Sequence, residues 1–401
     1  MNILIVSQYF YPEDFRINDI AVSLVERGHQ VTVITGLPNY GMDGIPREYR
    51  FFKKRKEVYK GVKVIRMPIT ARRKGAFWRI LNYKTFALFG AFYAKTAKID
   101  FDCVFTYEIS PVTVGIPAIS FARRKKKKHL FYCIDIWPEA VLSWGGTDKG
   151  IIYKIAKKIS NYVYKRCDLI AVSSEPFEDY LNEKMGVDKS RITYLPQHCD
   201  DIYSNIAGKY TDNSCTDFMY IGNIGSVQDV ECIIRAAKDL KDKEGFHIHI
   251  VGNGSNFDNV KNLSLQYGLD KIITFYGRIP YSELEELYIL ADAFLITLKG
   301  DSYIGNTLPA KLQSYMSVGK PVIGAINGAG ANEVYKSGCG KVASSGDSET
   351  LAKIMLDVIK NPDIYKECGK SGRKYYEDNY TKDKFIDKLL NLFYSLLKGE
   401  K

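Results

Sequence analysis

The sequence lacks the short motifs that identify several large enzyme classes. It contains no G-x-G-x-x-G, and Gly369-Lys370-Ser371 has no glycine five residues upstream, which argues against dinucleotide-dependent dehydrogenases and P-loop NTPases. H-E-x-x-H and G-x-S-x-G are missing too. The 5 histidines form no cluster and the 8 cysteines form no C-x-x-C pair, so we expect no metal site and a reduced compartment.

Long apolar runs are also missing. The most apolar window, residues 77–94, is interrupted by Arg79, Asn82 and Lys84, whereas a membrane-spanning helix needs about 20 largely apolar residues. The amino-terminal apolar stretch has no basic region ahead of it, so it is not expected to be a signal peptide. The sequence therefore predicts a cytoplasmic protein without a spanning helix.

Acidic residues are scarce in one stretch of the chain. Of 401 residues, 57 are basic and 46 are acidic, which gives +11, but residues 51–128 alone hold 20 basic and 4 acidic residues, or +16. Residues 201–401 hold 24 basic and 26 acidic residues and are nearly neutral. A basic stretch of this size favours an anionic partner. A phospholipid surface, a nucleic acid and a phosphorylated substrate remain open at this point.

Alternating strand and helix patterns run through the chain twice. The first cycle predicts strands at residues 2–7, 29–35, 62–66, 103–106, 130–134 and 169–173, with a helix from Ile17 to Val25 that stops at Gly28. The second predicts strands at 217–221, 247–251, 272–276, 293–297 and 321–323, and helices at 230–240, 256–268, 283–291, 311–317 and 350–360. These patterns predict an α/β fold of two Rossmann-like, doubly wound domains that face each other across a cleft.

Composition suggests where these domains begin and end. Residues 1–200 form the first domain and residues 201–375 the second, with the joint where proline, asparagine and glycine concentrate. Residues 376–401 belong to a C-terminal helix, because apolar residues repeat at helical spacing over 373–398. This helix packs either on its own domain or back on the first.

Glycines follow two predicted strands of the second domain. Gly222 and Gly252 each precede a helix, where glycine lets the backbone approach a phosphate and the helix start offers free N–H donors. Further on, a polar loop with Asn306 and Thr307 enters a helix whose first turn carries Lys311, a positive charge for an anionic leaving group. The second domain is therefore predicted to bind a nucleotide.

With these motifs in place, the chain resembles the glycosyltransferase family 4 enzymes of the GT-B fold, in particular the bacterial subgroup that builds capsule and O-antigen repeat units. The most distinctive matching segments are Asp-x-Trp-Pro-Glu at 135–139 and Leu-Pro-Ala-Lys at 308–311. The other segments are residues 8–13, 24–35, 36–40, 195–197, 220–228, 276–280 and 315–321. The resemblance thus runs nearly from end to end.

The resemblance implies a retaining glycosyltransferase that needs no cofactor. Such an enzyme moves a hexosyl or N-acetylhexosaminyl group from a nucleotide-sugar, here with UDP as the implied nucleotide, to a polyprenyl-diphosphate-linked saccharide in bacterial surface polysaccharide synthesis. The second domain would bind the donor and the first domain the acceptor. We expect this enzyme to be cytoplasmic and peripherally associated with the inner face of the plasma membrane.

The resemblance also assigns roles to individual residues. Asp135 and Lys311 are the implied catalytic residues, and Arg16 and Glu139 are assigned to the acceptor or diphosphate loop. The implied donor-binding residues are Gly222, Asn223, Gln228, Gly252, Arg278, Ile279, Asn306, Thr307 and Ser314. For Asp135, a buried carboxylate with a raised pKa would suit the deprotonation or orientation of an acceptor hydroxyl, while a helix cap or an arginine partner remains the alternative.

The sequence departs from the broad family pattern at four places. The Glu-x7-Glu signature is replaced by Asn306 and Ser314, and the diphosphate-binding Arg and Lys correspond to Asn223 and Gln228. The histidine that often precedes the aspartate of the first domain is Ile134. The glycine pair of the first loop is replaced by Asp14, Phe15 and Arg16. We expect Lys311 and Arg16 to restore the positive charge that these departures remove.

The basic stretch fits a membrane-held acceptor. Basic residues 72–74 precede the aromatic segment 77–92, and residues 123–128 are six consecutive positive charges. Basic and aromatic residues together favour the anionic inner membrane surface. Two alternatives remain: a non-hydrolysing sugar-nucleotide epimerase of the same fold, and a nucleic-acid platform at 51–128, which we disfavour. We therefore expect no nucleic-acid partner.

Overall fold

The computed structural model describes residues 1–42, 44–51, 53–73, 75–199, 205–211, 213–280, 283–300 and 307–399, apart from the side chains of residues 143 and 144. The chain separates into two compact units. The first combines Met1–Leu195 with Ile386–Lys401, and the second is Pro196–Phe385.

The first unit is built on an eight-stranded sheet. Its elements are β1 (Asn2–Val6), α1 (Ile17–Glu26), β2 (Gln30–Gly36), β3 (Lys56–Tyr59), β4 (Val62–Met67), α2 (Ala76–Thr96), β5 (Cys103–Glu108), α3 (Gly115–Lys125), β6 (Lys128–Cys133), α4 (Ile151–Tyr164), β7 (Leu169–Val172), α5 (Pro176–Asp179) and β8 (Ile192–Tyr194). The strand order is β3-β4-β2-β1-β5-β6-β7-β8, and only the β3–β4 pair is antiparallel. The order reverses between β1 and β5, so the carboxyl ends of these strands form the expected ligand edge.

Local sequence explains the elements that lead to this edge. All six residues of β5 are buried, as expected for a central strand covered on both faces. Helix α1 buries Ile17, Ile20 and Leu24 at helical spacing. It ends at Gly28, whose φ is +81°, and the N–H groups of Gly28 and His29 donate to the carbonyls of Val25 and Leu24, which is a Schellman motif.

The second unit contains a six-stranded, fully parallel sheet. Its elements are β9 (Thr216–Ile221), α6 (Val230–Asp239), β10 (Phe246–Val251), α7 (Phe257–Gln266), β11 (Ile273–Gly277), α8 (Glu285–Leu290), β12 (Ala293–Thr297), α9 (Ala310–Ser317), β13 (Val322–Ala325), α10 (Gly328–Ser337), β14 (Gly340–Ala343), α11 (Ser348–Lys360) and α12 (Pro362–Asn379). The strand order is β11-β10-β9-β12-β13-β14. The reversal falls between β9 and β12, and the predicted α/β class with two doubly wound sheets is confirmed.

The single helix predicted over 373–398 is wrong, because the structure has two helices there. Helix α12 ends at Asn379 and α13 begins at Lys382 (Lys382–Lys398). Between them, the carbonyl of Tyr380 accepts a hydrogen bond from the N–H of Cys199 at 3.1 Å, and the buried Tyr380 hydroxyl donates to Glu333. These contacts hold Tyr380 out of a continuous helix.

The end of the chain returns to the first unit. Phe393 packs edge-on against Phe105 of β5 with ring centroids 5.6 Å apart, and Arg27 pairs with Asp387 at 2.6 Å. Within the described ranges, no helix has the combination of length and hydropathy that crossing a bilayer requires.

Candidate active site

Two glycine backbones lie against each other at the carboxyl ends of β9 and β10. Gly222 has a φ of +148° and Gly252 a φ of +138°. The N–H of Gly222 donates to Val251 O at 2.9 Å, and the N–H of Gly252 donates to Gly277 O at 2.8 Å. A Cβ atom on Gly252 would lie only 1.8 Å from the carbonyl oxygen of Gly222. A side chain at residue 252 would therefore force these two loops apart.

Gly252→Ala is expected to lower the free energy of unfolding by at least ~2 kcal/mol, because backbone strain and the clash with Gly222 add together. Urea unfolding checks this. The control is Gly268→Ala, since Gly268 also has a positive φ of +67° but an added Cβ would meet nothing within 4 Å. Its cost should be only ~1 kcal/mol, from backbone strain alone. Equal losses in the two variants would contradict the packing argument.

A buried amine lies beside Gly222. Lys311, on the first turn of α9, places its Nζ 3.9 Å from the centre of the Tyr220 ring. This Nζ is buried and makes no hydrogen bond to any residue that the structure describes. Burial lowers the pKa of Lys311 to about 7. A Cβ on Gly222 would lie 2.9 Å from Nζ, so the absence of a side chain there leaves room for the amine.

The position of Lys311 indicates an anion-binding site. A buried cation without a counter-ion is costly, and an anion that enters beside it removes that cost and restores the charge. The amine lies at the carboxyl end of β9, where the strand order of the second sheet reverses and ligands of this fold bind. The site can thus neutralise negative charge on a ligand or on a leaving group.

Tyr315 fixes α9 to the end of β9, a role that the sequence reasoning missed. Its hydroxyl accepts from the N–H of Ile221 and donates to the Ile221 carbonyl, both at 3.0 Å. The ring stacks on Phe294 of β12 with centroids 4.2 Å apart. No local signal distinguishes this tyrosine from an ordinary core residue, because its partners lie far away in sequence. Tyr315 thus fixes the helix that carries Lys311.

Asn223 and Gln228 bind each other in the loop after β9. Gln228 Oε1 accepts hydrogen bonds from Asn223 Nδ2 and from the N–H of Gly225, both at 3.0 Å. The hydroxyl of Tyr220 donates to the carbonyl of Asn223 at 2.7 Å. The two side chains therefore shape the loop beside Gly222 and Lys311, and they bring no charge to it.

The other predicted donor residues are more dispersed. Ser314, one turn after Lys311, has its Oγ 3.2 Å from Cys199 Sγ. Arg278 is exposed after β11, Ile279 packs at the edge of the core, and Thr307 is half-buried shortly before α9. Asn306 lies outside the described residues. The structure thus brings Gly222, Asn223, Gln228, Gly252 and Lys311 close together at the carboxyl ends of β9 and β10.

Two carboxyl groups meet at the loop that follows β6 in the first unit. Asp135 follows β6, and burial raises its pKa to about 7, against a hydrogen bond with Ser110 that lowers it. Glu108, at the end of β5, is fully buried. Its Oε2 accepts from the N–H of Ile134 at 3.3 Å and of Asp135 at 3.2 Å. Burial and then the charge of Asp135 raise the pKa of Glu108 well above its usual value.

This arrangement gives the two carboxyl groups different tasks. Glu108, which the sequence reasoning did not identify, holds the backbone of the loop. Asp135 can exchange a proton near neutral pH, as a general base requires.

Glu139 and Arg16 both lie at positions that help to hold the first unit together. Glu139 Oε1 accepts hydrogen bonds from the hydroxyls of Tyr153 at 2.8 Å and Tyr180 at 2.7 Å. These bonds anchor the Asp135–Glu139 loop to α4 and to the segment after α5. Arg16 is half-buried at the amino-terminal cap of α1. Contact of either residue with an acceptor stays a prediction.

A buried polar network that the sequence reasoning missed lies at the carboxyl ends of β1 and β2. Gln8 Nε2 donates to Asn82 Oδ1 at 2.7 Å, and Asn82 Nδ2 donates to Asn39 Oδ1 at 3.1 Å. The backbone N–H groups of Asn39 and Tyr40 donate to Glu13 Oε1 at 2.7 and 2.6 Å. The interruption of the apolar window by Asn82 was the available signal, since a buried amide needs partners.

Comparisons with known proteins fit this geometry. Residues 15–198 match the model "Glycosyl transferase 4-like domain", and residues 209–375 match "Glycosyl transferases group 1". The chain is 24% identical over 283 residues to the probable glycosyltransferase WbjE of Pseudomonas aeruginosa, which covers 67% of this chain and 68% of that protein. It is also 24% identical over 339 residues to the putative colanic acid biosynthesis glycosyl transferase WcaI of Escherichia coli K12, covering 80% and 82%.

Solved structures share the fold over the whole chain. Anabaena Alr3699/HepE in complex with UDP superposes with a TM-score of 0.72 at 13% identity, covering 98% of this chain and all of that one. At this identity the likeness establishes the fold, which is the predicted GT-B fold.

Proposed function

The chain belongs to the glycosyltransferases with a 4-like first domain and a group 1 second domain, and on this premise we propose which substrates it uses. The donor is a UDP-sugar, and the acceptor is a saccharide linked to polyprenyl diphosphate. The sugar is transferred with retention of its anomeric configuration, in the synthesis of a bacterial surface polysaccharide. The names of the relatives WbjE and WcaI, both glycosyltransferases and one of colanic acid biosynthesis, support this class of product.

The observation that carries the proposal is the buried, unpaired amine of Lys311 beside Gly222. A nucleotide diphosphate is the anion of the donor, and it gains negative charge when the bond to the sugar breaks. Lys311 would stabilise that charge. Because Gly222 and Gly252 carry no side chains, the diphosphate can approach the loop backbone closely. The HepE structure, which contains UDP, supports this nucleotide.

The first unit supplies the acceptor chemistry in this proposal. Asp135 orients the attacking hydroxyl and takes its proton, the bond to UDP breaks, and the new bond forms between that oxygen and the anomeric carbon on the face that UDP leaves, so that the configuration is retained. We assign the donor sugar to Asn306 and Thr307, the base to Arg278 and Ile279, and the remaining donor contacts to Ser314. Family membership favours transfer over the epimerase alternative.

Association with an anionic membrane surface is part of the proposal. Helix α2 exposes large apolar side chains, including Phe77 at 69% and Phe92 at 67%. The basic residues 123–128 lie at the end of α3 and the start of β6. Exposed aromatic residues next to positive charge support a peripheral position on anionic lipid.

A thermal-shift panel of UDP-, GDP- and dTDP-sugars tests the donor assignment. A UDP-sugar at 100 times its Kd should stabilise the native state by ~2.7 kcal/mol, and the other nucleotides should give smaller shifts. The UDP-sugar should also remain unchanged when no acceptor is present, because an epimerase would isomerise it. A panel in which no nucleotide-sugar raises Tm would contradict the proposed function.

A further inference from the structure

A basic cavity in the first unit includes Asn39 of the polar network but none of the predicted catalytic or donor-binding residues. Its volume is about 840 Å³, and its lining includes Asn39, Arg50, Arg72 and Arg73. The other described lining residues are small or apolar. Among the described residues of this lining, three carry a positive charge and none carries a negative one.

The three arginines differ from the buried arginine of the same unit. Arg66 pairs with Glu57, so its charge is compensated. Arg50, Arg72 and Arg73 form no ion pair with the part of the chain that the structure describes.

Within the described residues, uncharged groups, and not carboxylates, contact the guanidinium groups of these three arginines. Arg50 Nε donates to the carbonyl of Ile45 at 2.7 Å. Arg72 lies 4.8 Å from the ring centre of Tyr40, and Arg73 lies 4.5 Å from that of Trp78. Such contacts orient a guanidinium group and leave its charge available.

Hydrogen bonds also fix the floor of the cavity. The backbone N–H of Arg72 donates to Asn39 Oδ1 at 3.0 Å, and Arg72 Nη1 donates to the hydroxyl of Tyr9 at 3.0 Å. Asn39 is itself held by Glu13 and by Asn82. Because these groups are in place before any ligand enters, little ordering remains to oppose binding.

The cavity adjoins both the proposed general base and α2. Ser110 hydrogen-bonds with Tyr83 and with Asp135. Burial raises the pKa of Tyr83, the nearby charge of Arg72 lowers it, and the charge of Asp135 raises it. Arg72 and Asp135 therefore both lie near this tyrosine. On the other side, Arg73 lies over Trp78 in the first turn of α2, next to the exposed Phe77.

We propose that Arg50, Arg72 and Arg73 bind the diphosphate of the lipid-linked acceptor, with the saccharide directed toward Asp135 and the lipid toward α2. The inference rests on the proposed function and assigns that acceptor a binding site. Guanidinium groups bind phosphate oxygens in pairs of hydrogen bonds, which suits a diphosphate. The large cavity and the exposed aromatic residues suit a diphosphate that carries groups at both ends.

Calorimetry of farnesyl diphosphate binding to the full chain tests this assignment. Arg50→Ala/Arg73→Ala should weaken it by about tenfold for each arginine, because a hydrogen bond to a charged group contributes about that much. Arg47→Ala/Lys53→Ala is the matched control, since it removes two exposed positive charges that do not line the cavity. The control should bind like the wild type. Both variants should keep the Tm shift with the UDP-sugar.

Several results would overturn the assignment. Equal binding by the wild type and the cavity variant would do so, and so would equal losses in the cavity variant and its control. Inorganic pyrophosphate that binds as tightly as farnesyl diphosphate would indicate a free phosphate ligand. Phosphatidylglycerol vesicles that bind only when Arg50 and Arg73 are present would indicate a lipid headgroup.

The site can also be separated from the nucleotide site. Lys311→Ala should bind farnesyl diphosphate like the wild type, and a loss as large as that of the cavity variant would assign the diphosphate to the nucleotide site instead. A UDP-sugar that leaves Tm unchanged would count against the proposed function, while the arginine variants report only on the acceptor site.

Discussion

Lys311→Ala is expected to lower kcat/KM for the UDP-sugar by about 10²–10³-fold, because removing one group that stabilises the leaving charge typically costs this much. The diphosphate of the donor would lose the only buried positive charge that the structure places beside Gly222 among its described residues. Steady-state kinetics and calorimetry with UDP measure the effect. Unchanged UDP affinity and unchanged turnover would contradict the assignment.

Lys311→Met separates this role from a contribution to stability. Methionine keeps most of the side-chain volume and removes the buried charge, so the variant should lose activity like Lys311→Ala while its free energy of unfolding rises.

The pH dependence of unfolding checks the same point. Burial lowers the pKa of Lys311 from 10.5 to about 7, so between these values the unfolded chain binds more protons than the folded one. Wild-type stability should therefore contain a contribution that rises from pH 7 toward pH 10.5. The methionine variant should lack it. A methionine variant that is both active and less stable would contradict both expectations.

Asp135→Asn is expected to give the second large loss of activity. Loss of a general base typically lowers the rate by about 10²–10⁴-fold, and asparagine keeps the shape of the side chain while removing the proton acceptor. The exposed Asp148→Asn provides a control with the same chemical change. An asparagine variant at residue 135 with more than half of the wild-type kcat would exclude a role for Asp135 in proton transfer.

The pH profile of kcat/KM gives a second measurement. Burial raises the pKa of Asp135 to about 7, so the carboxylate that accepts the proton forms as the pH rises through 7. Burial lowers the pKa of Lys311 to about 7, so the charged amine is lost over the same range. The wild type should therefore show a narrow bell centred near pH 7. The Asp135→Asn variant should lose the rising side of this bell.

Periodic sequence patterns were sufficient to predict most of the fold. Buried strands such as β5 and amphipathic helices such as α1 carry their pattern locally. Strands β3, β8 and β14 were missed because none of them is a fully buried apolar run, in contrast to the equally short β13. Helix α10 begins with Gly-Ala-Gly, a composition that indicates a loop, and its buried face becomes apparent only from packing.

The candidate site was predictable where loop chemistry is local. Gly222 and Gly252 were predicted because each glycine follows a strand. Lys311 was predicted because it is a basic residue on the first turn of a helix. Glu108 and Tyr315 do not, because their hydrogen-bond partners lie 26 to 94 residues away. The cause is physical: a buried polar group takes its role from the partners that the tertiary fold brings to it.

The path of the chain has a consequence for the order in which the protein folds during synthesis. The second unit is continuous in sequence, and its two ends are joined by the hydrogen bond between Cys199 and Tyr380. The first unit needs α13 to cover Phe105, and that helix is translated after the second unit. Since domains fold as units as they leave the ribosome, we expect the second unit to mature before the first unit, although the first unit begins earlier in the chain.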